Sequence, residues 1–66
     1  MNKEELQQLS AMLAPKGWHC EENNTFKYGL HWTIINNKQG HKRQVVFSFK
    51  EGVEFAKKLN DNDKNF

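Results

Sequence analysis

The chain contains one cysteine, one proline, one arginine and no apolar run longer than four residues, and each shortage closes off a class of protein. A lone Cys20 cannot build the disulfide framework on which small secreted domains depend, and it fits a reducing compartment. A cytoplasmic location is therefore expected. A transmembrane helix needs about 20 consecutive apolar residues, so neither a membrane span nor a membrane partner is expected. The N-terminal segment has the pattern of an amphipathic helix, without the charged-then-apolar order of a signal peptide. The four glycines, at 17, 29, 40 and 52, spell neither G-x-G-x-x-G nor G-x-x-x-x-G-K-[ST], which excludes the familiar dinucleotide and nucleotide-hydrolysing loops. His19, Cys20, His31 and His41 form no C-x-x-C and no closely spaced histidine pair, so no metal centre and no cofactor is expected. A single arginine leaves little capacity for bidentate reading of guanine.

What remains is a globular composition, 36% apolar and 12% aromatic over 66 residues, enough for one domain with a small core. From Asn2 to Ala14 the spacing of Leu6, Leu9, Met12 and Leu13 predicts a helix with one apolar face. Asn2 and Glu5 form a capping box at its start, and Pro15 with Gly17 ends it. Three β-like runs follow: Trp18 to Glu22, Phe26 to Ile35 and Lys42 to Phe47. Asn23-Asn24-Thr25 is read as the first turn, and residues 36–41 as a hairpin loop. Alternation places Leu30, Trp32 and Ile34 on one face of the middle strand and His31, Thr33 and Ile35 on the other. In the third strand Val45 and Phe47 are expected inward and Val46 outward. Ser48 and Glu51 spell a second capping box, ahead of a helical stripe of Phe49, Val53, Ala56 and Leu59 that ends at Asn60.

The expected fold is α+β in the order α-β-β-β-α, a three-stranded antiparallel sheet with two helices packed on one face. Residues 1–60 form the single compact domain and 61–66 a frayed polar tail. The order resembles that of the double-stranded RNA-binding domain, but in topology alone. The second helix opens Phe49-Lys50-Glu51-Gly52-Val53-Glu54, where that family carries a lysine cluster, and the paired Lys57-Lys58 come at its end. Gly17-Trp18 with Phe47, Phe49 and Phe55 is faintly similar to pterin-4a-carbinolamine dehydratases, whose paired histidines before a proline have no counterpart beside Pro15.

An enzyme is not expected. Ser48 serves as a helix cap, Cys20 falls on the inward face, and His19, its neighbour on a strand, points to the opposite side. The function expected is that of a small non-catalytic binding protein. Net charge is only +2, yet the 28 residues from Asn23 to Lys50 carry five cations and no acid. Lys27, Lys38, His41, Lys42, Arg43 and Lys50 therefore make a candidate phosphate-contacting strip for DNA or RNA, with Phe26, Tyr28 and His31 as rings that stack bases if exposed. The alternative is a protein-interaction or self-association module, a protein partner or homodimer seated on the outer sheet face at His31, Thr33, Ile35 and Val46.

Overall fold

The computed structural model describes residues 1–62. Helix α1 (Lys3–Leu13) leads through a 3-10 turn (Ala14–Lys16) into strand β1 (Trp18–Thr25). Strands β2 (Gly29–Asn36) and β3 (Arg43–Val46) and helix α2 (Phe49–Asn62) follow. The sheet order is β1-β2-β3 with both pairings antiparallel, so the α-β-β-β-α reading holds. Helix α2 runs on to Asn62, past the expected stop at Asn60, and the remainder of the expected tail lies outside the described residues.

Local chemistry accounts for the helix ends. Glu5 N–H donates to Asn2 Oδ1 at 2.8 Å and Asn2 N–H donates to Glu5 Oε1 at 3.0 Å, which satisfies two otherwise orphaned donors. Gly17 takes φ 81°, a left-handed conformation that costs glycine little and stops the helix before β1. At α2, Glu51 N–H donates to Ser48 Oγ at 3.2 Å. The Glu51 carboxylate reaches back one residue further than a standard box, accepting from Phe47 N–H at 2.7 Å.

Two expectations are corrected. The first turn is Phe26-Lys27-Tyr28, not Asn23-Asn24-Thr25, and β2 starts at Gly29 instead of Phe26. Gly29 sits at φ 68° and supplies the left-handed residue that closes a three-residue hairpin loop. Asn23 is kept in β1 by its side chain, whose Oδ1 accepts from Thr33 Oγ1 at 2.8 Å across the strands. The second correction concerns β3, whose phase is opposite to the one expected. Val46 pairs with Trp32 and is buried, whereas Val45 and Phe47 are exposed on the other face.

The core consists of Leu9 and Leu13 from α1, Trp18, Trp32, Ile34 and Val46 from the sheet, and Ala56 and Leu59 from α2. Leu9, Leu13 and Ile34 are fully buried, each contributing about 1.5–3 kcal/mol relative to exposure. Phe55 meets Trp18 edge-on with ring centroids 5.7 Å apart and tethers α2 to the start of β1. The helices cover only part of their sheet face. Trp18, Ile34 and Asn36 are buried there, but Glu22, Asn24 and Leu30, further along the same face, are exposed. The β1–β2 hairpin end thus projects beyond the helices.

The two helices meet where Gly52 faces Leu9, and a methyl group at residue 52 would come within 2.6 Å of Leu9 Cδ2. Alanine would favour the helix by about 0.8–1 kcal/mol, but overpacking a filled core costs about 1–3 kcal/mol. Gly52→Ala is expected to lower the denaturant midpoint of unfolding. A raised midpoint would show that Leu9 repacks freely.

Candidate functional site

The expected basic strip is divided by the topology. Lys38, His41, Lys42 and Arg43 stay together at the β2–β3 loop, but Lys27 lies in the β1–β2 turn at the other end of β2. An eight-residue strand spans about 27 Å, so Lys27 and Lys38 do not share one contact surface. Lys50 stands in the first turn of α2, after the end of β3 that lies beside Trp32.

The β2–β3 loop is built on Asn36, which is 7% exposed. Its Oδ1 accepts from the backbone N–H of Lys38 at 2.9 Å and of Gln39 at 2.7 Å. Its own N–H donates to the Lys42 carbonyl at 3.0 Å, and Lys42 N–H donates to the Gln39 carbonyl at 2.8 Å. Arg43 folds over the same loop, with Nε and Nη2 donating to the Gly40 carbonyl at 3.1 and 2.8 Å. Asn37 N–H anchors the loop to the Gly17 carbonyl at 2.8 Å. Several cations are thus displayed on backbone whose hydrogen bonds are internally satisfied, which lowers the ordering cost of binding an anion.

The sheet face away from the helices is set by register. His19, Ile35 and Arg43 form one row across β1, β2 and β3, and Glu21, Thr33 and Val45 the next. Asn23 and His31 form a third, and Phe47 continues it just past the end of β3. His31, Thr33 and Ile35 therefore lie on this face as expected. Val46 does not, and Val45 takes its place.

His31 and Thr33 are buried although no helix covers them. Thr33 is tied to Asn23 across the strands, as described above. His31 Nδ1 lies 3.0 Å from the Gly29 carbonyl, which can only accept, so this ring nitrogen carries the proton. Tyr28 meets the His31 ring edge-on at 5.9 Å and Phe47 meets it tilted at 6.1 Å. Both outer rings remain about half exposed, Tyr28 at 57% and Phe47 at 52%, while Phe26 at the hairpin tip is fully exposed. The Lys27 ammonium lies 5.2 Å from the Tyr28 ring centroid, within cation–π range. Sequence reasoning misses Phe47 as a surface ring. Val45, Val46 and Phe47 are apolar in succession, so strand periodicity carries no phase there.

The Cys20 thiol is not activated. Burial pushes the Cys20 thiol up to about 11, with the Glu21 charge adding to the shift, so it stays protonated near neutral pH. His19 and His31 share the outer face, but their row positions are four residues apart along β2, about 13 Å. Among the described residues no group of three or more His, Cys, Asp or Glu side chains could hold a metal ion. No helix of the described residues is long and apolar enough to cross a membrane.

Comparison with protein-family models, with curated proteins and with solved structures finds no match for this chain. The reading of this surface therefore rests on its own chemistry.

His19 makes the surface pH-sensitive. Its Nδ1 bonds to Asn37 Oδ1 and its Nε2 lies 2.9 Å from Glu21 Oε2. Both partners are acceptors, so only the imidazolium satisfies both, and its pKa is raised above 6.5, first by Asn37 and then by Glu21. A raised folded-state pKa adds stability that is fully present below pH 6.5 and is lost as pH rises through the folded value. An NMR titration is expected to place His19 above 6.5, and Glu21→Gln to move it back down. An unchanged value in that variant would refute the assignment.

Proposed function

We propose that this chain is a small, non-catalytic nucleic-acid-binding domain that contacts phosphates through the β2–β3 hairpin. One observation carries the reading. Lys38, His41, Lys42 and Arg43 gather on a single loop pinned by Asn36, within a stretch of sequence that holds no acid from Asn23 to Lys50. Phosphate contact by several cations provides affinity without base recognition, and one arginine suits that task better than sequence reading. The reducing compartment implied by a lone cysteine makes the cytoplasm the proposed place of action.

The reading predicts binding to DNA or RNA that weakens steeply with salt. Three or four phosphate contacts correspond to a slope of roughly −2 to −3.6 in log K against log salt, steeper for duplex than for single strand. Lys38→Glu combined with Arg43→Glu should reduce affinity at low salt by about tenfold or more while the circular dichroism spectrum is unchanged. Full retention of affinity in that variant would remove the hairpin from the interface.

A second reading, a protein partner or a second copy on the helix-free face, is favoured by the exposed apolar area of Val45 and Phe47. It predicts a concentration-dependent dimer or a bound partner that is lost in Val45→Lys with the fold retained. For the homodimer form, a strict monomer in sedimentation at high concentration is the opposing result.

A further inference from the structure

The projecting end of the sheet has a feature that phosphate contact alone leaves unused. Building on the nucleic-acid reading above, we infer that the ligand is single-stranded and that its bases stack on Tyr28 and Phe47.

Both rings contact His31, which is only 6% exposed and is held by its own bond to the Gly29 carbonyl. Each ring therefore rests against a fixed imidazole and remains about half open to solvent. A supported ring with an exposed face loses little conformational freedom when a base settles on it. Neither helix crosses this face.

The charges complement a polyanion here too. Lys27 places its ammonium over the Tyr28 ring, 5.2 Å from the centroid, so a base settling on that face would displace the flexible lysine side chain toward the phosphate of the same nucleotide. From Phe47 back to Arg43 is four residues of extended chain, about 14 Å, leading from the rings to the cationic loop. β2 and β3 carry no acid along this path. The outward carboxylate of the sheet, Glu21, lies on the far strand β1 and is held by His19 at 2.9 Å, and the Glu51 carboxylate at the start of α2 is held by the Phe47 N–H at 2.7 Å. A strand laid over β2 and β3 thus meets rings at one end and cations at the other.

Stacking distinguishes single strands from duplexes. In a duplex both faces of each base are already covered by neighbours, so Tyr28 and Phe47 gain nothing beyond contact with the backbone. In a single strand each base placed on a ring is worth about ten- to hundredfold in affinity, and every base has a face to offer, so no sequence preference is implied. An apolar protein surface would satisfy the rings but would bring no negative charge to the positive end of the sheet. A second copy of this chain would bring the same positive loop and the same cation beside the ring.

The test measures fluorescence anisotropy of a labelled ten-thymidine strand and of a ten-base-pair duplex against the full chain at low salt. The single strand is expected to bind at least about tenfold tighter than the duplex. Tyr28→Ala with Phe47→Ala should remove about tenfold or more of the single-strand affinity, leave duplex affinity within about twofold, and leave the folded spectrum unchanged. Tyr28→Trp should restore binding when paired with wild-type Phe47 and add indole fluorescence that is quenched by the strand. Equal affinity for both ligands, or an equal loss on both in the double alanine variant, would overturn the stacking inference while leaving phosphate binding in place. No binding of either ligand by the wild-type chain would overturn the nucleic-acid reading itself. A dimer that dissociates in the double alanine variant would assign the two rings to self-association instead.

Discussion

When Trp32 turns toward the helices and pairs with Val46 on β3, the two-residue period of a strand leaves its neighbours no freedom. Ile34 must join Trp32 in the core, and His31, Thr33 and Ile35 must face away from it. On β3, Val45 and Phe47 are carried outward for the same reason, although both are as apolar as Val46. The outer face therefore owes its composition to a packing decision made on the inner one. The side that the helices need leaves Tyr28, His31 and Phe47 together on the side they do not.

A small core has a second consequence. Two helices of this length cover the half of the sheet nearest the β2–β3 loop, where Trp18, Ile34 and Asn36 are buried. The β1–β2 end extends past them, so Leu30, Phe26 and Tyr28 stay in contact with water. The two ends of one sheet acquire different surfaces. One is a loop of cations organised by the Asn36 side chain, and the other is a set of rings braced on His31. His19 ties the first strand to the cationic loop through Asn37, which makes that end responsive to protonation.

Much of this architecture is legible in the amino-acid sequence. The capping box at Asn2, the Ser48 cap, the stop at Gly17, the order of elements and the β2–β3 loop follow from interactions between residues within a few positions of one another. The cluster at Lys38, His41, Lys42 and Arg43 is visible too, because residues in one loop stay together whatever the rest of the chain does. Lys27 and Lys50 cannot be placed in the same way, since their distance from that loop depends on strand length and direction. The first turn escapes a local reading because Asn23-Asn24 has strong turn character of its own. The bond from Thr33 to Asn23 and the left-handed requirement met by Gly29 outweigh it.

The amino-acid sequence by itself determined where both helices start, where α1 stops, the α-β-β-β-α order and the acid-free stretch from Asn23 to Lys50, all of which depend on local geometry or simple composition. Only the tertiary structure decided which of Val45, Val46 and Phe47 faces the core and which aromatic rings reach the surface. It also decided how far apart the cations stand. Those outcomes depend on strand register and on how much of the sheet two short helices can cover, and neither is encoded in any single segment of the chain.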